Sequence, residues 1–150
     1  MSSPIVIPIT STRPDKDHPI PRQMTSGSSG FDLYACVDNP VNIEPQQLEM
    51  VGTGCSIAVP PGYEAQVRPR SGLALKHKVS VLNSPGTIDS DYRGEIKVIL
   101  FNFGEQMFVI QDCDRSAQLV IAVVPYVVFQ EVGCLEATER GRGGYGHTGR

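Results

Sequence analysis

Three short stretches and the C-terminal end gather side chains capable of chemistry. Residues 83–94, NSPGTIDSDYRG, set Asp89, Asp91 and Tyr92 among turn formers between the apolar runs VSVL and EIKVILFNF. A hairpin needs only two connecting residues, so the others are available to shape a pocket. Asp89 offers a carboxylate able to accept a proton from water. Residues 69–74, PRSGLA, combine Arg70, Ser71 and Gly72 where a short helix should begin. Arginine and helix-start N–H groups suit a phosphate, and Ser71 acting as a simple helix cap is the alternative. Residues 114–119, DRSAQL, bring Arg115 and Gln118 to a strand entrance, for an anion or for a surface ion pair.

Other chemistries find little support. The chain has no G-x-S-x-G elbow, no H-E-x-x-H helix and no G-x-x-x-x-G-K-[ST] phosphate loop, and its three histidines, His18, His77 and His147, are scattered. Cys36, Cys55, Cys113 and Cys134 stand singly, a spacing that fits buried reduced thiols better than structural zinc or disulfides. A net charge of −3 disfavours nonspecific binding to nucleic acid or an anionic membrane, both of which draw on excess Lys and Arg.

The elements that must position these residues read as strands. Short runs rich in Val, Ile, Phe and Tyr, among them IVIPI, FDLYACV, YEAQVRP, QLVIAVVP and YVVFQEV, alternate with turn signals such as PPG, NSPG and NFGE. The one helical stretch, residues 72–78, is too short to cover a sheet, so the core must be sheet on sheet: a sandwich, barrel or jelly roll. The longest apolar run is broken by Pro125 and is shorter than a spanning helix, and the N-terminus shows no secretion signal, so a cytoplasmic protein is expected. Residues 1–139 read as one core domain. Residues 140–150, RGRGGYGHTGR, hold five glycines and read as a mobile arm.

In their order and spacing, SGFDLYA (29–35), PRSGLA (69–74), NSPGTIDSDYRGE (83–95), DRSAQL (114–119) and RGRGGYGHTG (140–149) resemble the five motifs of the homotrimeric dUTP diphosphatases, across nearly the whole chain. The resemblance implies an all-β, jelly-roll-like fold and Mg2+-dependent cleavage of dUTP between the α and β phosphates, giving dUMP and diphosphate. It also implies three active sites, each assembled from all three subunits, with dUTP and sister chains as the partners rather than nucleic acid or membrane. By match of motif, Asn83 and the backbone of Thr87 and Ile88 bind uracil, while Gly86 allows close approach. Lys97 reaches the same nucleotide, and Tyr92 packs under the deoxyribose, leaving no room for a 2′-hydroxyl. Asp89 becomes the general base and Asp91 a turn residue. Arg70, Ser71, Gly72 and Gln118 become phosphate contacts, Gln118 being grouped with Asp89 as catalytic. Mg2+ is expected on the phosphates, with Asp32 either touching its water shell or tying a turn together. The tail becomes a lid: Arg140 and the amides of residues 143–148, Gly144 among them, wrap the γ-phosphate while Tyr145 stacks on uracil.

Some residues depart from the pattern. Cys113 stands where a glycine is usual, Ser116 replaces a bulkier apolar residue, Tyr145 stands for the commoner phenylalanine and His147 for a small residue. The first two bear on where Gln118 is placed. Two rivals remain. A dCTP deaminase shares the hairpin but needs a glutamate where this chain has Ile99, and a non-catalytic dUTP sensor would not need Asp89.

Overall fold

Alternating residues build the strands. The computed structural model describes residues 3–144, in which one helix accompanies eleven strands. In chain order these begin with β1 (Ile9–Ser11), β2 (Gly30–Tyr34), β3 (Val41–Ile43), β4 (Leu48–Gly52), β5 (Cys55–Ile57) and β6 (Tyr63–Arg68). Helix α1 (Ser71–His77) follows, then β7 (Val79–Val81), β8 (Gly86–Ile88), β9 (Lys97–Asn102), β10 (Phe108–Ile110) and β11 (Arg115–Val123). Strand β9 shows the period-two logic, burying Val98, Leu100 and Asn102 while Lys97, Ile99 and Phe101 face outward.

All strand pairs are antiparallel, arranged as β2-β11-β6-β8, β4-β9-β7, β1-β5 and β3-β10. Leu33, Val67, Ile88 and Leu119 from the first sheet meet Val51, Val81, Val98 and Leu100 from the second in one apolar core. This is the sheet-on-sheet packing expected from a chain with no covering helix. The buried polar Asn102 is fully used: Nδ2 donates to the carbonyls of Ile43 (2.9 Å) and Gln106 (2.8 Å), and Oδ1 accepts from the Gly104 N–H (2.8 Å).

Several local features differ from the sequence-based expectation. Ser71 opens α1 rather than capping it; Arg70 occupies the cap position with extended backbone and no side-chain capping bond. The run YVVFQEV forms no strand: among the described residues no strand pairs with it. Only Cys36 and Cys55 are buried, and burial pushes both thiols up; Cys113 and Cys134 are exposed. The expectation of four buried thiols is therefore corrected to two. No helix among the described residues is long and apolar enough to cross a membrane.

Candidate active site

Strand β8 lies at the end of its sheet, paired to β6 through Ala65↔Ile88, Gln66↔Thr87 and Val67↔Gly86, so its outer edge keeps backbone donors and acceptors unpaired. A cavity of about 250 Å3 opens beside it, lined by Thr87, Ile88, Asp89, Tyr92, Glu95 and Lys97, with Met50 and Ile96 completing the wall. Asp89 is exposed to this space, and Lys97, the first residue of β9, reaches it from the far side of the loop. Tyr92 lies over Gly94, where a Cβ would sit 2.3 Å from its hydroxyl oxygen, and that hydroxyl donates to the Glu95 carbonyl (3.0 Å). The ring is thus half exposed and held flat against the loop instead of being sunk in the core. Gly86 is close-packed, but by the protein itself: a Cβ there would lie 3.1 Å from Asn83 Nδ2 and 3.4 Å from Val67 Cβ.

The predicted phosphate contacts gather in a second cleft, of about 420 Å3, formed by Gly30, Asp32, Arg70, Ser71, Gly72, Arg115 and Gln118. Asp32 stands between two guanidinium groups, with Oδ2 accepting from Arg115 Nη1 (3.2 Å) and Oδ1 lying 3.5 Å from Arg70 Nε. Arg70 Nη1 also donates to the Arg115 carbonyl (3.1 Å). Gln118 is oriented by donation from Nε2 to the Pro69 carbonyl (2.9 Å), which leaves its second N–H to face a ligand.

A β-bulge explains how Arg115 and Gln118, three residues apart, line the same cleft. On a regular strand such residues point to opposite faces. Here the register slips between Arg115, opposite Tyr34, and Ala117, opposite Leu33, so Ser116 is the extra residue. Ser116 is buried and its hydroxyl donates to the Leu33 carbonyl (3.3 Å), a role a bulkier apolar side chain could not fill. Cys113 adopts φ 63°, the left-handed backbone that glycine takes freely, in the turn just before. Ser116 thus serves the bulge that aims Gln118, while Cys113 holds a left-handed turn that the usual glycine would adopt at lower cost.

Gly30 belongs to the same device, since a Cβ there would lie 2.2 Å from Gln118 Oε1. Gly30→Ala should therefore displace a flexible amide rather than the fold. The expected outcome is a nearly unchanged melting temperature with kcat/KM lowered about tenfold or more, measured by calorimetry and steady-state kinetics on one preparation.

Arg140 and Gly144 lie at the end of the described chain, where Arg140 Nε donates to the Gly143 carbonyl (2.8 Å), away from both cavities; Tyr145 lies outside the described residues. Glu95, absent from the sequence-based set, also lines the first cavity. Its sequence signal was its place closing the NSPGTIDSDYRGE stretch. Among the described residues one mixed cluster, His18, Asp112 and Cys113, has donor atoms within 4.8 Å of one another. Two of its atoms are already engaged: His18 Nε2 bonds the Ala35 carbonyl (2.9 Å), while Asp112 Oδ1 accepts from the Val37 N–H (2.8 Å) and pairs with Lys16 (3.1 Å).

The all-β scaffold thus carries a carboxylate beside an open strand edge and, elsewhere, a cleft lined by arginines. The dUTPase family model matches residues 16–149, and the chain belongs to the dUTPase family. It is 50% identical over 145 residues to the deoxyuridine 5'-triphosphate nucleotidohydrolase of Caldanaerobacter subterraneus subsp. tengcongensis, covering 97% of this chain and 98% of that one. Solved structures share the fold at lower identity. A Staphylococcus bacteriophage 80alpha dUTPase variant with dUpNHpp superposes with a TM-score of 0.86 at 21% identity, covering 97% of this chain and 99% of the other. A variant dUTPase from phage phi11 of S. aureus, described with a structural Mg(II) ion, gives 0.77 at 19% identity over 88% of this chain and 99% of its own. The jelly-roll-like fold expected from the motifs is thereby borne out.

Proposed function

We propose that this chain hydrolyses dUTP to dUMP and diphosphate, which keeps uracil out of DNA and supplies dUMP for thymidylate synthesis. The observation that carries the reading is Asp89 in the cavity beside the open edge of β8, in a chain of the dUTPase family. Uracil has alternating acceptors and a donor on its polar edge and pairs with the unpaired backbone of Thr87 and Ile88, assisted by Asn83. Cytosine offers an amino group where uracil offers an acceptor, so it would leave buried donors facing each other. Tyr92 forms the floor under the deoxyribose and excludes a 2′-hydroxyl, and Lys97 closes the nucleotide from the other side.

Asp89 accepts a proton from the attacking water as the α–β phosphoanhydride breaks. A carboxylate is a weak base, so most of the acceleration comes from placing the phosphates and offsetting their charge. Arg70, Gln118 and the backbone of Ser71 and Gly72 do that work. Asp32 already faces Arg70 and Arg115, which suits it to holding the arginines in place and makes it a poor direct ligand. The residues present fit a Mg2+ ion that would arrive with the substrate phosphates, and Asp32 would then be the nearest carboxylate to its water. Once bound, Mg2+ neutralises part of the phosphate charge.

The assembly we propose is a homotrimer with active sites shared between chains, in the cytoplasm. Two observations support it. The base cavity and the phosphate cleft have no lining residue in common. Beyond β11 the chain carries Tyr126 and Phe129, 94% and 97% exposed, followed by Leu135, an apolar segment that a sister chain would cover. A matching apolar groove of about 430 Å3 lies between Ile5, Ile7, Ile20, Phe31, Leu119 and Ile121. Residues 1–139 form the core in this reading, and residues 140–150, including Arg140, Gly144 and Tyr145, close over the triphosphate.

Subunit mixing tests the shared site. Asp89→Asn and Arg70→Ala chains, each inactive alone, are unfolded together and refolded. Diphosphate release from dUTP should return in the mixture, with light scattering giving the mass of three chains. A mixture as dead as its parents, or active monomers of the natural chain, would contradict the shared arrangement.

A further inference from the structure

We propose that Glu95 is a positioning residue for sugar selection, acting through Tyr92; the inference rests on the reading of Tyr92 as the platform under the deoxyribose. Its side chain and its backbone face in two directions. The carboxylate Oε1 accepts from the Gly54 N–H (2.9 Å), crossing above Gly52, where a Cβ would lie 2.6 Å from the same oxygen. Its carbonyl accepts from the Tyr92 hydroxyl (3.0 Å). Glu95 therefore joins the loop that carries Asp89 and Tyr92 to the turn between β4 and β5.

That turn is firm. Gly54 has φ 67°, a left-handed backbone that glycine adopts at least cost, and a Cβ there would lie 2.8 Å from Cys36 Sγ. Thr53 N–H and Oγ1 both donate to the Ile96 carbonyl, at 3.1 and 2.7 Å, and Ile96 N–H donates to the Cys55 carbonyl (2.9 Å). Ile96 is buried, whereas Tyr92 is half exposed, lies close over Gly94 and bonds through its hydroxyl to the Glu95 carbonyl. The anchored end of the loop is thus residues 95–96, and Glu95 transmits that anchoring to an aromatic ring that has no core contact of its own.

The consequence concerns discrimination rather than chemistry. A ring fixed within a few tenths of an ångström can exclude a 2′-hydroxyl, whereas one free to tilt admits it. Truncation of Glu95 leaves the Gly54 N–H without its partner and lets the loop move.

The test compares kcat/KM for dUTP and UTP in Glu95→Ala, Glu95→Gln and Tyr92→Ala. Glu95→Ala should raise the UTP-to-dUTP ratio about tenfold, mainly through KM for UTP, with kcat for dUTP changed by no more than roughly threefold. Glu95→Gln keeps an oxygen acceptor for Gly54 and should hold the natural ratio. If Glu95→Ala lowers both substrates in parallel along with the melting temperature, the residue is merely structural and the inference is overturned. An unchanged ratio in Tyr92→Ala overturns the platform reading, and the Glu95 inference with it. A changed ratio in Tyr92→Ala beside an unchanged one in Glu95→Ala removes Glu95 alone.

Discussion

Asp89→Asn lowers kcat for dUTP by roughly 10²–10⁴-fold while leaving nucleotide affinity within about tenfold. The expectation follows from what the residue touches. Asp89 is exposed to the cavity beside β8 and makes no ion pair and no side-chain hydrogen bond among the described residues, so its carboxylate is free to face water and substrate. Asn has the same shape and cannot take a proton, so the cavity keeps its form and only the chemical step suffers. The fold should be indifferent, since no buried partner is lost. Steady-state kinetics with isothermal titration of a non-hydrolysable analogue separates the two quantities. Turnover within about threefold of the natural chain would rule Asp89 out as the base.

Removing residues 140–150 should cost roughly a hundredfold in kcat/KM for dUTP and leave assembly and melting temperature nearly unchanged. Fixing a glycine-rich segment costs about 1–2 kcal/mol per residue, so a lid of the kind proposed would close only when a full triphosphate returns that energy through charge-assisted bonds. Arg140 bonds to its own Gly143 carbonyl and Gly141 has φ 51°, local contacts that a ligand can replace without disturbing the core. The penalty should be smaller for dUDP, which lacks the γ-phosphate the arm would wrap. Equal penalties for dUTP and dUDP would mean the arm is no phosphate lid, and an unaffected rate would mean it is no lid at all.

How much of this was legible in the sequence depended on whether the signal was local. The strands with strict alternation, such as the run that became β9, were readable because period-two burial is written into consecutive residues. The phosphate cleft was readable as a set of residue types, since Arg70, Gly72 and Gln118 fall in recognisable motifs and the structure brings them together. Its geometry was not. That Arg115 and Gln118 face one way depends on Ser116 being looped out of register, and a bulge leaves no periodic trace. The choice between a water-shell role and a tying role for Asp32 was also beyond the sequence, because Arg70 and Arg115 meet it across the sheet.

Glu95 was passed over for a related reason. Its partner Gly54 is forty-one positions earlier, and only the β4–β9 pairing brings the two turns together. The run YVVFQEV misled in the opposite direction. Its composition is that of a strand, yet a strand requires a neighbour, and among the described residues none pairs with it, leaving Tyr126 and Phe129 exposed. Composition reports a preference for pairing; it does not say with which chain.

The measurement that bears most directly on the account is diphosphate release, with Mg2+, from dUTP, dCTP, dTTP and UTP in parallel. Release from dUTP, with the other three slower by orders of magnitude, is the predicted result, since the proposed site has the open edge of β8 read the base and Tyr92 the sugar. Comparable release from UTP or dCTP, or tight binding of dUTP with no turnover, would contradict it.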